Sequence, residues 1–523
     1  MKNGRQLKLA AFVLVVVAYA AARAWRLTDS CLWFDETFSI HAAEHSWDSL
    51  FNFVALDLIH PPLFYVLLKL WIGVGGESLF WLRLFPVVFS VIAIFPFISL
   101  CRELKLGKWT QLLALLLFAV NGSLIKYAQE VRMYSLLLCL SLFSMWLFAR
   151  YFQKGKSFVP LVIVNILMVY SHYFGWFVVS SEVAAILVFQ RIKWRRIVTM
   201  FAIILASFVP WVVTVWLAAR SGSELAQNIG WMSRPGPLEI GGFVLNLIEP
   251  FYYQASSAEP VSIFRVSLPI LLIAVVAIAL YFAGWKQQNE NERRRMKLLV
   301  LFVALPLAIA FAASWLLPYS IWGTRHLIIV FAPVSLLLAI ALTKISTGTI
   351  RTAAFTLIFL FTGYAFLLEA LRPKPQFSWC AWEPLAEEWI LTPHYLSTPK
   401  TVYALEELVG YHIWFAARNF PNNNVSVVKG FGGTAEDAAY FLPRGFHKVK
   451  FVDPATAFSG PEFWVAFRDP DPDYGVPGHH HRSPRPLIEL SRLGYEAEDT
   501  KKIRVGNESV FLTRLIRRPP NIP

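Results

Sequence analysis

The sequence predicts a polytopic α-helical membrane protein with about eleven spans, followed by a C-terminal extracytoplasmic α/β domain. Hydrophobic residues make up 56% of the 523 residues, and the mean hydropathy is +0.51. Apolar runs recur to about residue 370, whereas the rest of the chain is polar and rich in proline and glycine. The formal net charge of +14 is typical of inner-face loops that meet lipid headgroups, so we expect membrane lipids as partners and no nucleic acid.

The candidate spans are apolar segments that approach the roughly 20 residues a helix needs to cross a bilayer. The first follows three basic residues. Although Ala18-Tyr19-Ala20 resembles a signal-peptidase site, the length of the run predicts an uncleaved span. The predicted spans are 7–26, 80–101, 109–125, 131–151, 157–171, 173–190, 196–219, 262–285, 298–317, 327–345 and 350–370.

One further apolar segment, 61–75, is short and carries Lys69 in its middle. If this segment lies along the interface, the basic clusters between spans all fall on the side of the N-terminus; if it crosses, they all fall on the opposite side. The positive-inside rule therefore predicts a juxtamembrane helix and a cytoplasmic N-terminus. The clusters are Arg102/Lys105/Lys108, Lys154/Lys156, Arg191/Lys193/Arg195/Arg196, Arg293/Arg294/Arg295/Lys297 and Lys344/Arg351.

This topology divides the chain into a membrane domain, 1–370, and an outer domain, 371–523. It places two long connections, 27–60 and 220–260, on the outer face of what we expect to be a bacterial inner membrane, so the outer domain is periplasmic. Alternating strand-like and helix-like patterns in that domain predict a small α/β fold. The predicted elements are helix 382–391, strand 401–406, helix 407–418, strand 425–429, strand 463–467, helix 486–493 and a hairpin of 501–505 with 509–515.

The four cysteines show no spacing typical of metal ligands. Cys31 and Cys380 fall on the same outer side of the predicted topology, so a disulfide between them is compatible with it. Asp469-Pro470-Asp471-Pro472-Asp473 and the nearby His479-His480-His481 resemble metal ligands, but the prolines and the missing framework favour a solvated loop.

The acidic pair Asp35-Glu36 follows the first span closely. A carboxylate costs roughly 2.5 to 3.5 kcal/mol at membrane depth, so two of them at the rim of a bilayer indicate a site, with a solvated acidic loop as the alternative. A group transferred at the outer face, where nucleotides are not supplied, usually arrives on a lipid phosphate. Such a reaction needs a carboxylate base, cations for the phosphate and an apolar groove for the lipid tail.

Either Asp35 or Glu36 can supply the base, since adjacent side chains point in different directions. Arg132, Arg325 and His60 are cations on the same predicted face, and arginine offers a bidentate fork for phosphate oxygens. The alternatives are snorkelling interface residues for the arginines and a loop cap for His60. Further candidates for binding the donor phosphate or for positioning donor or acceptor are His326, Gln129, Glu130, Tyr134, His172 and Tyr173.

Five motifs follow one another in the membrane domain. They are Asp35-Glu36, His60-Pro61-Pro62-Leu63-Phe64-Tyr65, Trp81-Leu82-Arg83-Leu84, Gln129-Glu130-Val131-Arg132-Met133-Tyr134 and Arg325-His326. In this order and with this common sidedness, residues 1 to about 345 resemble bacterial GT-C fold glycosyltransferases. The resemblance is to the glycosyltransferase family 39-like group, which includes protein O-mannosyltransferase, aminoarabinose transferase and galacturonosyl-transferase relatives.

The resemblance implies an inverting transferase that uses a polyprenyl-phosphate sugar donor, with no metal cofactor expected and a divalent cation as the alternative. It implies that Asp35 is the base, with Glu36 as its companion, and that Arg325 binds the lipid phosphate. Relatives often have Arg-Tyr where this chain has Arg325-His326, so the role of His326 is open. The implied acceptor is a hydroxyl of a glycan, lipid or protein of the cell envelope.

A transporter or flippase for a lipid-linked saccharide is the alternative from another functional class. Its pathway would place ionisable residues near mid-span on several helices and would need discontinuous helices. In this sequence the charged groups cluster at one face, and only Glu182 and a few others lie deep in a span. A catalytically inactive scaffold is a third alternative, which the complete outer-face set disfavours. We therefore expect an enzyme.

Overall fold

A computed structural model shows a helical membrane domain followed by an α/β domain built on one sheet. This architecture confirms the predicted fold class. The structure describes residues 2–189, 194–220, 229–230, 232–251, 263–374, 377–391, 400–420, 423–428, 431, 449–470, 484–505 and 508–518.

Each predicted span contains a helix. Within the described ranges, seven helices are long and apolar enough to cross a membrane. Others, such as α7 (Lys108–Val120), α10 (Phe158–Ser171) and α11 (Gly175–Phe189), are apolar but shorter. The helices of the bundle are α1 Lys2–Ala24, α5 Leu79–Ile92, α6 Ile94–Glu103, α7 Lys108–Val120, α8 Gly122–Ala128, α9 Tyr134–Lys154, α10 Phe158–Ser171, α11 Gly175–Phe189, α12 Trp194–Arg220, α14 Phe264–Ala283, α15 Glu290–Leu316, α16 Phe331–Thr343 and α17 Gly348–Leu371.

Two predicted spans are interrupted near the end that the predicted topology places at the outer face. The span 109–125 breaks at Asn121, whose side chain accepts a hydrogen bond from the Leu124 N–H (3.0 Å) and so begins α8 as an N-cap. The span 327–345 starts as a short 3₁₀ helix, His326–Val330, before α16. Both interruptions place polar residues beside these ends of the helices.

The connection 27–60, expected as a loop, contains two helices, α2 (Phe34–Glu44) and α3 (Trp47–Leu56). The acidic pair therefore lies on the first turn of a helix. Glu36 causes this start, because its carboxylate accepts the Trp33 N–H (3.1 Å), a donor that the helix itself leaves unpaired. The connection 220–260 likewise contains a helix, α13 (Pro237–Ile248).

The segment 61–75 forms α4 (Leu63–Gly75), which is too short to be counted among the long spans. Its central charge is bound by the preceding connection, since the Lys69 ammonium donates to the carbonyls of Ala43 (3.1 Å) and His45 (2.6 Å) at the end of α2. A lysine in an apolar helix is thus explained by a contact with the connection before it.

The C-terminal domain contains a six-stranded sheet in the order β3-β2-β1-β4-β6-β5. The strands β3, β2, β1 and β4 are parallel, and the long hairpin β5-β6 adds antiparallel strands at one edge. The elements are α18 Trp382–Leu391, β1 Lys400–Ala404, α19 Glu407–Ala417, β2 Asn423–Val427, β3 Val449–Phe451, α20 Pro454–Ala457, β4 Glu462–Pro470, α21 Arg485–Arg492, β5 Tyr495–Val505 and β6 Glu508–Arg517.

Every predicted element of this domain is present, and the sequence missed β3 and α20, which have only three and four residues. The metal-like residues Asp471, Asp473 and His479–His481 lie outside the described residues. Cys31 and Cys380 form a disulfide with a Cα–Cα distance of 5.4 Å, which joins the chain before α2 to the start of the C-terminal domain.

The positive-inside topology predicts that the chain before α13 is outside and the chain before α15 is inside. Ser233→Cys should react with a membrane-impermeant thiol reagent in intact cells, whereas Glu290→Cys should react only after permeabilisation. Both positions are exposed, and the four native cysteines are either disulfide-bonded or buried, so background labelling should be low. Labelling of Glu290→Cys in intact cells would contradict the orientation.

Candidate active site

Asp35 lies at the centre of a charged cluster assembled from three parts of the membrane domain. Its Oδ2 accepts a hydrogen bond from Nη1 of Arg325 (3.3 Å) and lies 3.9 Å from Nη2 of Arg132. The Asp35 side chain is 19% exposed, so it is reachable, whereas Arg132 is buried. The predicted association of Asp35, Arg132 and Arg325 is therefore present in the structure.

Arg132 lies in the connection between α8 and α9 and is fixed by acceptors from other parts of the chain. Its guanidinium donates to the Asp35 carbonyl (3.2 Å), to Ser39 Oγ (3.1 Å) and to Nε2 of His60 (3.1 Å). Its Nε–H is buried and has no hydrogen-bond partner among the described residues. Buried donors are seldom left unpaired, so this one indicates a place for a ligand or water oxygen.

His60 is oriented by the hydrogen bonds that its two ring nitrogens make. Because Nε2 accepts from Arg132, the hydrogen is on Nδ1, which donates to Oδ2 of Asp57 (2.5 Å). Burial, followed by the positive charge of Arg132, lowers the pKa of His60, so the ring is neutral near pH 7. His60 was expected to be a cation for the phosphate; the structure places it behind Arg132 as a neutral acceptor.

Glu36 points away from Asp35 into the protein. It is fully buried and pairs with Arg83 through two contacts, Nη2–Oε2 (3.0 Å) and Nε–Oε1 (3.3 Å). It also accepts the backbone N–H groups of Trp33 and Val131 (2.9 Å for Val131). All its strong acceptor positions are thus engaged by groups of the protein, and the carboxylate is fully buried.

Two residues of this region were missed as site candidates. Arg83 lies in the apolar helix α5, and a buried arginine in a predicted span was the available signal. Tyr65, on α4, interacts electrostatically with Arg132, Asp57 and Asp35, and its buried hydroxyl has no hydrogen-bond partner among the described residues. With the Arg132 Nε–H, it is the second unpaired polar group near Asp35.

Tyr134, His172 and His326 form an aromatic layer beside this cluster. The ring centroids of His172 and His326 are 5.5 Å apart, and each lies 6.3 Å from that of Tyr134. His172 is also 5.9 Å from the ring of His60. Burial lowers the pKa of His172 well below its usual range, so this ring too is neutral. The layer forms a buried wall of the site.

The other three candidates are bound elsewhere. Gln129 donates to the carbonyls of Arg23 (3.0 Å) and Trp25 (2.8 Å), and Tyr173 accepts a hydrogen bond from the Trp211 indole (3.2 Å). Glu130 pairs with Lys126 (3.2 Å). Gln129 and Glu130, together with Glu36, line a small polar cavity, and Asp35 is not among its lining residues.

The C-terminal domain packs directly on the helix that carries Asp35. Phe34 and His41 of α2 contact Tyr411 and Trp414 of α19, with ring centroids 5.4 and 4.7 Å apart. Just after α19, Arg418 donates to carboxylates of the membrane domain, and its Nε lies 2.8 Å from Oε1 of Glu44.

These contacts secure α2 at both ends. Glu44 is the last residue of α2, and Cys31, three residues before its start, is covalently bonded to Cys380 of the C-terminal domain. The position of Asp35 therefore depends on the docking of a domain none of whose described residues contacts the Asp35 carboxylate.

No group of three or more His, Cys, Asp and Glu side chains in the described part of the chain is arranged to hold a metal ion. The expectation of a metal-independent reaction stays a prediction.

The fold is similar to that of ArnT from Cupriavidus metallidurans. The chain matches the structure bound to undecaprenyl phosphate with a TM-score of 0.57 and 11% sequence identity, over 98% of both chains. The apo structure gives a TM-score of 0.56 with the same identity and coverage. These neighbours confirm the predicted GT-C fold.

A weaker likeness is to the Archaeoglobus fulgidus oligosaccharyltransferase tethered to an acceptor peptide. Its TM-score is 0.48 at 14% identity, covering 79% of this chain, which spans 63% of the archaeal protein. No protein-family model and no curated protein matches the sequence.

The docking of α19 on α2 predicts a local effect of Arg418. Removing an ion pair of this kind costs about 1 kcal/mol, so Arg418→Gln should speed backbone hydrogen exchange across α2 on the order of fivefold, measured by mass spectrometry. Arg514→Gln is a matched control, because Arg514 also pairs with two carboxylates at 18% exposure, against 16% for Arg418, but within the C-terminal domain. Equal effects of the two variants on α2 would contradict the role assigned to this contact.

Proposed function

We propose that this GT-C fold protein is an inverting glycosyltransferase. It moves a sugar from a polyprenyl-phosphate donor to a hydroxyl of a cell-envelope glycan, lipid or protein at the outer face of the bacterial inner membrane. The observation that carries the proposal is a reachable carboxylate, Asp35, held next to two arginines at one face of a membrane-helix bundle. The fold similarity to a protein crystallised with undecaprenyl phosphate supports the choice of donor.

Asp35 is the proposed base. Of the acidic pair, it alone is partly exposed, while Glu36 is sealed by Arg83 and two backbone donors. In the proposed step, Asp35 takes the proton of the acceptor hydroxyl as that oxygen attacks the anomeric carbon. The bond from this carbon to the phosphate oxygen breaks, its electron pair leaves with the polyprenyl phosphate, and the sugar is inverted.

Arg325 and Arg132 are the proposed phosphate-binding groups. The negative charge that develops on the departing phosphate is stabilised best by donors that are already in place. Arg132 is held by several hydrogen bonds, and neither its buried Nε–H nor the nearby Tyr65 hydroxyl has a partner in the part of the chain that the structure describes. A phosphate that accepts a hydrogen bond from the Arg325 guanidinium in place of Asp35 would release Asp35 for the acceptor.

The transporter alternative receives little support from the deep ionisable groups. Glu182 accepts hydrogen bonds from Ser144 (2.5 Å) and Asn165 (2.7 Å), which tie α9, α10 and α11 together. Arg23, which is also buried, bonds to Ser90 and to backbone carbonyls of α7. These groups join helices to each other and do not line a pathway across the membrane.

The assignment of the base predicts unequal effects of two isosteric variants. Asp35→Asn keeps the shape of the side chain but cannot accept the proton, so turnover should fall roughly 100-fold or more with donor binding retained. Glu36→Gln should chiefly destabilise the fold, by about 3 to 5 kcal/mol if Arg83 is left uncompensated, and its turnover per folded molecule should fall less.

The measurement is sugar release from a purified polyprenyl-phosphate donor, normalised to folded protein. Full activity of Asp35→Asn would refute the catalytic assignment. Movement of the intact lipid-linked sugar across vesicles by the native protein, without cleavage, would establish the transporter alternative.

The phosphate assignment predicts that Arg325→Ala weakens donor binding by on the order of 2 to 5 kcal/mol, because one partner of a desolvated charge pair is lost. Arg325→Lys should restore it only in part, since lysine lacks the planar fork. Titration with undecaprenyl phosphate measures the effect. Arg234→Ala is the control, as Arg234 lies before α13 and contacts the carbonyls of Leu317 and Pro318. Unchanged affinity in Arg325→Ala would exclude this role.

A further inference from the structure

An apolar groove lies between α7, α16 and α17, far from Asp35. Its volume of about 520 Å³ falls within the range of roughly 300 to 1,000 Å³ that is usual for ligand sites. The groove is lined by Trp109, Leu112, Leu113, Leu116, Thr343, Arg351 and Phe355.

The groove has one polar end. Thr343 is at the last position of α16, and its hydroxyl is hydrogen-bonded to that of Thr110 (3.0 Å), which closes this end between two helices. Arg351, one turn into α17, is exposed, and its guanidinium donates to the Ile345 carbonyl at 3.4 Å. Within the described residues, no carboxylate lies at ion-pair distance from Arg351. Trp109, 58% exposed, stands beside it, as tryptophans do at a membrane interface.

The apolar part runs away from this end along the helices. Leu113 and Leu116 lie one and two turns beyond Trp109 on α7, and Phe355 lies one turn beyond Arg351 on α17. The shape is therefore that of a hydrocarbon slot capped by a cation at headgroup level, which matches an anionic lipid in both polarity and charge.

This groove is separate from the proposed catalytic site. Both α7 and α16 have 13 residues, so each is about 20 Å long. Arg132 follows the far end of α7 and Arg325 precedes the far end of α16, whereas the groove opens at their other ends. By the positive-inside topology its polar end faces the cytoplasm, in a leaflet rich in anionic glycerophospholipids.

We propose that this groove is a binding site for an anionic glycerophospholipid, with one acyl chain along Leu113 and Leu116 and the phosphate at Arg351. The occupant is a structural lipid of the inner leaflet and is not the sugar donor. The site fills the space between α17 and the α7–α16 pair, so its lipid would stabilise the packing of the last membrane helix.

The test is native mass spectrometry of the delipidated full-length protein with phosphatidylglycerol or phosphatidylcholine of identical acyl chains. The native protein should retain phosphatidylglycerol preferentially, and Arg351→Gln should reduce that preference about fivefold, the usual effect of one basic residue near a membrane surface. Arg102→Gln, another exposed arginine on the same predicted face, should leave it unchanged. Leu113→Trp, which fills the slot, should reduce retention of both lipids.

The same preparation tests where the lipid binds and whether undecaprenyl phosphate competes for the groove. A photoactivatable acyl chain on phosphatidylglycerol should crosslink to α7 between Trp109 and Leu116, and undecaprenyl phosphate should not displace it. Equal retention of the two phospholipids by the native protein, an unchanged preference in Arg351→Gln, or displacement by undecaprenyl phosphate would each overturn the proposal. None of these readouts depends on sugar transfer.

Discussion

The buried ion pair between Glu36 and Arg83 is the constraint on which the arrangement of the site depends. A carboxylate and a guanidinium removed from water are tolerable only when each is fully hydrogen-bonded, and here Glu36 has four donors while Arg83 also binds the carbonyls of Leu27, Ser30 and Cys31. The pair fixes the first turn of α2 against α5. Because consecutive helical side chains diverge by about 100°, fixing Glu36 inward turns Asp35 toward Arg325 and Arg132.

The same helix links the two domains. Its start is tied by the disulfide and by the Glu36 cap, and its end is tied by the Arg418–Glu44 ion pair. This arrangement gives the C-terminal domain a physical connection to Asp35, although none of its described residues contacts that carboxylate.

Sequence patterns predicted the polytopic class and most elements of the C-terminal domain, because apolar runs and strand alternation are local signals. The segment 61–75 does contain a helix, and its juxtamembrane position stays a prediction. Sequence patterns also grouped Asp35, Arg132 and Arg325 by topology. They did not reveal which member of the acidic pair faces inward, because that depends on Arg83, 47 residues away. The helical nature of 27–60 was missed for a similar reason, since the Glu36–Arg83 pair and the packing of α2 on α19 are tertiary contacts.

The central claim is that Asp35 is released to act as base when a lipid phosphate takes over Arg325. A cryo-electron microscopy structure of the full chain with undecaprenyl phosphate tests it directly. The account predicts phosphate oxygens within hydrogen-bond distance of Arg325 and Arg132. It also predicts that the Asp35 carboxylate is no longer hydrogen-bonded to Arg325. A phosphate bound away from both arginines, with the Asp35–Arg325 contact of 3.3 Å intact, would contradict it.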